Sequence, residues 1–182
     1  MVNAALAPMG GFADLSPDEI DAMLDLNCRA AAQLTHALGA PMLARGRGGV
    51  ILLSSVGGYQ GSAAIAHYAA TKAYLRVLAE GLWYEWRPQG VDVLACCPGI
   101  VVTPTSQRLA FRTGRLVPPR MDPDVVARHA LAALGRRPGA VAGWRNPAAS
   151  LVARLIPRRA AVSLVSRQTL AMQRSRPPDA KS

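Results

Sequence analysis

Two short apolar runs constrain this chain more than anything else in it. Val50-Ile51-Leu52-Leu53 follows Gly46, Gly48 and Gly49, and Val91-Asp92-Val93-Leu94-Ala95-Cys96-Cys97 lies between Pro88/Gly90 and Pro98-Gly99. Runs with so little polar alternation suit strands buried on both faces, as in a parallel sheet covered by helices. Helical segments flank them. Ser16-Pro17-Asp18-Glu19 carries a capping residue, a proline for the first turn and a Glu three positions after the Ser, so a helix starts there and continues towards Leu43. A second helix is expected over 65–86, stopped by Pro88 and Gly90, and a third from Asp122-Pro123 to about Leu134. Residues 140–143 suit a short last strand. Helix, strand, helix, strand, helix means βαβ crossovers and an α/β fold.

Composition narrows the class. With 182 residues and 51% hydrophobic side chains the chain can bury one sizeable core. Residues 1–147 read as that domain and 148–182 as a basic, largely helical tail. No stretch has the eighteen or so apolar residues of a membrane span. Cys28, Cys96 and Cys97 are an odd set without disulfide or metal-ligand spacing, which points to a reduced, cytoplasmic setting. His36 and His129 lack ligand-like neighbours, so no metal is expected. The net charge of +10 comes from arginine; only two of the 21 basic residues are lysine. Without interleaved aromatics or a recognition motif, it does not point to nucleic acid. Leu151, Val152, Leu155, Ile156, Arg154, Arg158 and Arg159 make the tail partly amphipathic. It suits packing on the domain or on a partner subunit, or a weak peripheral membrane contact.

Tyr68 and Lys72 stand four apart, on one face of the second helix and about 5–6 Å from each other. A tyrosine near pKa 10 exchanges protons poorly at neutral pH. A neighbouring ammonium should lower that value and suit the phenol to acid/base work. Ser55 lies thirteen residues earlier, where the first apolar run ends. In open α/β sheets ligands bind beyond the carboxyl ends of the strands, and Pro98-Gly99 and Thr103 follow the second run at the same end. Ser54 competes for the Ser55 role, but strand alternation points neighbours to opposite faces. Gly57, Gly58 and Gly61 suit a flexible substrate loop, and His67 a partly exposed position at the helix start.

Leu53-Ser54-Ser55-Val56-Gly57-Gly58, Tyr68-Ala69-Ala70-Thr71-Lys72-Ala73 and Cys97-Pro98-Gly99-Ile100-Val101-Val102-Thr103 together closely resemble the short-chain dehydrogenase/reductases. Asn27 matches the helix asparagine of that family's Asn-Ser-Tyr-Lys tetrad. Val2-Asn3-Ala4-Ala5 resembles, loosely, the end of its Asn-Asn-Ala-Gly motif, with Ala5 where Gly is usual. The likeness covers about residues 2–145. It implies a Rossmann-type doubly wound parallel sheet and hydride transfer between NAD or NADP and a carbonyl or alcohol. In that scheme Tyr68 exchanges the substrate proton and Ser55 polarises the substrate oxygen. Lys72 tunes Tyr68 and holds the nicotinamide ribose, and Asn27 holds a relay water. Asn3, Pro98, Gly99, Ile100 and Thr103 line the cofactor. The resemblance also implies a homo-oligomer formed through the two long helices, those holding Asn27 and Tyr68.

The family's Gly-rich cofactor turn has no counterpart in the sequence; Gly10-Gly11 is in the wrong place for it. The expectation is therefore an N-terminally truncated chain, the C-terminal part of the fold without its first three strands, with impaired activity alone. A non-catalytic remnant serving as a dimerisation or scaffold module is the alternative. Loop 104–121, with Leu109, Phe111 and Leu116, suggests an apolar substrate.

Overall fold

A computed structural model describes residues 1–103, 106, 120–142 and 157–174. Its elements are α1 (Pro17–Leu24), a π-helical turn (Asp25–Ala30), α2 (Ala31–Ala44), β1 (Gly48–Leu53), α3 (Ala66–Trp86), β2 (Val91–Cys97), α4 (Pro123–Ala133), β3 (Gly139–Val141) and α5 (Arg158–Arg174). The strands form one parallel sheet in the order β1-β2-β3. Val2 extends it beyond β1: its N–H donates to Ile51 O at 2.9 Å, and its carbonyl accepts from Leu53 N at 3.0 Å.

The expected capping box is formed at Ser16. Its Oγ accepts from Glu19 N at 3.2 Å, while Glu19 Oε2 accepts from Ser16 N at 2.8 Å. The helix that follows is not continuous, as the sequence suggested, but widens into the π-helical turn around Asn27. Asp122 caps α4 by accepting from Asp124 N at 2.7 Å, with Pro123 in the first turn.

Strand alternation divides the core into two layers. Ile51, Leu94 and Cys96 face α4 through Val126, Ala130 and Ala133. Val50, Leu52, Val93, Ala95 and Cys97 face the other way, towards Ala79, Leu82, Trp83, Trp86 and Met42 of α3 and α2. The adjacent cysteines thus serve opposite faces, and all three cysteines are free thiols. Leu52 and Leu94 are wholly buried, each contributing about 2–3 kcal/mol by leaving water. With helices on both faces and every described strand parallel, the layers are those of a doubly wound sheet. Among the described residues no helix is long and apolar enough to cross a membrane.

Of the basic tail, α5 is described. It packs back on the domain, burying Ala161 and Thr169. The apolar tail residues Leu151, Val152, Leu155 and Ile156, and the substrate-loop residues Leu109, Phe111 and Leu116, lie outside the described residues.

Candidate active site

The carboxyl ends of β1 and β2 are held together by backbone bonds. Ser54 N donates to Cys96 O at 2.8 Å and Val56 N to Pro98 O at 3.0 Å. Two consecutive serines emerge there with different partners. Ser54 is buried, and its Oγ donates to the carbonyl of Lys72 at 2.7 Å, tying β1 to α3. Ser55 is half-buried; its Oγ accepts from Gly57 N at 3.1 Å and lies close enough to the Tyr68 hydroxyl to pull that phenol's pKa down. The structure therefore brings Ser55 to Tyr68 and turns Ser54 to the helix backbone.

Lys72 lies one turn beyond Tyr68 and is only 3% exposed. Its Nζ donates to Leu53 O at 2.8 Å and sits 5.7 Å from the centroid of the Tyr68 ring. Burial, which disfavours the ammonium, pulls its pKa down to about 8, with Cys28 and Cys97 pulling the other way. Tyr68 differs from the sequence expectation. Burial of its hydroxyl pushes the phenol above its ordinary value, opposed by the neighbouring Ser55 hydroxyl. The Lys72 ammonium spends its short contact on Leu53 O, so desolvation dominates at Tyr68.

Asn27 is fully buried inside the π-helical turn. Its side chain accepts from Leu6 N at 2.8 Å, donates to Leu6 O at 2.9 Å and donates to Thr71 Oγ1 at 3.0 Å. Thr71 Oγ1 in turn donates to Tyr68 O at 2.8 Å. Asn27 therefore joins the N-terminal segment to the helical turn that carries Tyr68 and Lys72, and touches neither of those side chains through these bonds. A π-helical turn of this kind is often found at functional sites.

The residues expected to line a cofactor are spread along the same sheet end. Pro98 is buried, and Gly99, Ile100 and Thr103 are half-buried. Ile100 O accepts from Met121 N at 2.8 Å, while Thr103 closes a small turn, its Oγ1 accepting from Ser106 N at 3.1 Å. Asn3 follows the Val2 bridge and is exposed. His67 is held to α1, with Nε2 3.1 Å from Ile20 O.

Three roles escaped the sequence reading. Gly58 is not there for flexibility alone: a Cβ on it would lie 2.8 Å from the Lys72 carbonyl carbon and 2.9 Å from Ala73 N. Only glycine lets this loop lie against the backbone of α3. Thr71, inside the Tyr-x-x-x-Lys spacing, was legible as a polar residue three after Tyr68 but not as the link to Asn27. Ser166 and Thr169 of α5 contact the loop before α3, and nothing in their spacing signals it.

The layers, the parallel order and a polar set beyond the strand ends define a Rossmann-type α/β protein. A family profile described as short chain dehydrogenase matches residues 1–112. The chain belongs to the short-chain dehydrogenase/reductase family. It is 35% identical over 109 residues, 59% of its length and 41% of the relative's, to the oxidoreductase UcpA of Escherichia coli strain K12. It is 29% identical over 148 residues, 80% of its length and 44% of the relative's, to human inactive hydroxysteroid dehydrogenase-like protein 1. Among solved structures, a short-chain dehydrogenase from Sphingobium yanoikuyae in complex with NADPH matches with a TM-score of 0.66 and 27% identity, over 84% of this chain and 61% of that one. The chain spans about half the length of the curated relatives it matches.

Proposed function

We propose that this chain carries the acid/base half of a NAD(P)-dependent dehydrogenase/reductase acting on a small, apolar carbonyl or alcohol. The observation that supports this most is the gathering of Ser55, Tyr68 and, one helical turn on, Lys72 at the carboxyl ends of two parallel strands. Ser55 donates to the substrate oxygen and orients it. Tyr68 gives that oxygen its proton in reduction, or takes one in oxidation. A phenol that burial keeps protonated at neutral pH suits donation of that proton in the reductive direction.

The residues fit a nicotinamide cofactor in part. Lys72 has three protons, and the bond to Leu53 O uses one. The others suit ribose hydroxyls, with Pro98, Gly99, Ile100, Thr103 and Asn3 along the same end of the sheet. A bound nicotinamide would supply or accept the hydride. Asn27 holds the turn of α3 in place and its π-helical backbone suits a relay water. Adding NADPH and an aromatic ketone to the full chain should give turnover that Tyr68→Phe lowers by about a hundredfold or more. Unchanged turnover in that variant removes Tyr68 from the chemistry.

A non-catalytic reading draws support from the likeness to a relative named as inactive; absence of any turnover from a folded chain would favour it. Either way, the exposed apolar side chains Leu34, Leu38, Tyr74 and Val77 of α2 and α3 support homo-oligomerisation through these helices. Three free thiols suit a reducing, cytoplasmic setting.

A further inference from the structure

Beyond the Ser55–Tyr68–Lys72 set, a group of hydrogen bonds joins α5 to the loop between Ser55 and Tyr68. Both peptide groups of Ala63 are held by one helix. Its N–H donates to Ser166 Oγ at 3.0 Å, and its carbonyl accepts from Thr169 Oγ1 at 2.8 Å. Ser62 Oγ lies 2.8 Å from the same Thr169 Oγ1. Thr169 Oγ1 also lies 3.1 Å from Ser166 O and 3.2 Å from Val165 O; a hydroxyl has one proton to give, and giving it to the nearest carbonyl, Ala63 O, leaves Ser62 as the donor to Thr169. Ser62 is 4% and Thr169 8% exposed, which shields these bonds from water. At the start of α5, Arg158 Nη1 donates to Tyr59 O at 3.2 Å.

The clasped residue precedes a strained one. Ala64 has φ of +62° and is buried; a non-glycine residue takes that conformation only where its surroundings impose it. Its own carbonyl accepts from Gly10 N at 2.9 Å. Ile65 then begins α3, its carbonyl accepting from Ala69 N at 2.8 Å, with Tyr68 in that first turn.

We propose that Ser166 and Thr169 are positioning residues: by pinning the Ala63–Ala64 junction they fix the start of α3 and so the approach of Tyr68 to Ser55. The proposal rests on the acid/base reading of those two side chains. Its test uses the full chain as wild type, Thr169→Val, Ser166→Ala and the conservative Thr169→Ser. NMR would follow amide exchange residue by residue and the titration of Tyr68, with Tyr74 and Tyr84 as references. Thr169→Val is expected to speed exchange at Ala63 and Ala69 about fivefold or more, while amides of β1 and β2 keep their rates. Opening the junction admits water to a phenol that burial holds high, so Tyr68 should titrate lower. Ser166→Ala, which removes the acceptor of the Ala63 N–H itself, should speed exchange at Ala63 at least as much, and Thr169→Ser should keep both readouts near wild type. Unchanged exchange at Ala63, or a loosened Ala63 with Tyr68 titrating as before, overturns the proposal. Both readouts are independent of turnover, so failure of the Tyr68→Phe test and failure of the clasp are told apart.

Discussion

Replacing Lys72 by methionine keeps an unbranched side chain, one atom shorter, and removes its charge, which isolates the consequence of burying an ammonium in the core. The folded chain holds Lys72 at about 8, against an ordinary value near 10.5. Below pH 8 the folded state keeps a proton that its dry surroundings disfavour. Between about pH 8 and 10.5 the unfolded chain binds more protons than the folded one, so stability rises with pH through that window. Integrating the two titrations from pH 7 to 9.5 gives the wild type a gain of about 2 kcal/mol from this residue. The half-buried Cys28 thiol, the buried Cys96 and Cys97 thiols and the Tyr68 phenol, all pushed up, act in the opposite sense. The quantity to measure is therefore the difference between wild type and Lys72→Met. Urea unfolding followed by tryptophan fluorescence at pH 7 and at pH 9.5 supplies it. Wild type should gain on the variant as pH rises, whatever the offset at pH 7 from losing the bond to Leu53 O. Parallel pH profiles would refute the idea that desolvation governs Lys72.

The two serines should separate stability from chemistry. Ser54→Ala leaves the buried Lys72 carbonyl short of a donor and should cost about 1–2 kcal/mol in urea unfolding, whereas Ser55→Ala should unfold nearly as wild type but lose carbonyl turnover. Equal effects of both on stability would contradict their division of labour. Gly58→Ala drives a Cβ into the backbone of α3 and should destabilise the chain by about 1–3 kcal/mol; a neutral result in the same unfolding assay would mean that the loop yields freely. Val77, 57% exposed on α3, lies on the face proposed to pair. Val77→Glu should shift the mass read by light scattering towards the monomer while leaving the circular dichroism unchanged, and an unaltered mass would place the interface elsewhere.

Much of the architecture could be read without coordinates, because it follows from local chemistry. Gly-bounded apolar runs became parallel strands buried on both faces. The Ser16 capping box and Asp122-Pro123 opened the helices where capping physics requires. The order of Ser55, Tyr68, Lys72 and Pro98-Gly99 placed a polar set beyond the strand ends. Tertiary structure decided what depends on neighbours distant in the chain. Whether Ser54 or Ser55 meets Tyr68 is settled by the carbonyl of Lys72, eighteen residues away from Ser54. The direction in which Tyr68 is shifted depends on how dry its hydroxyl is and on Lys72 turning to Leu53 O, neither of which a four-residue spacing contains. Asn27 could be picked from its motif, but its bonds to Leu6 and Thr71 and the π-helical turn around it arise only when three segments meet. The clasp of α5 on Ala63 spans more than a hundred residues of sequence. Pattern and capping act within a turn or a strand; hydrogen-bond partners and desolvation are properties of the assembled core.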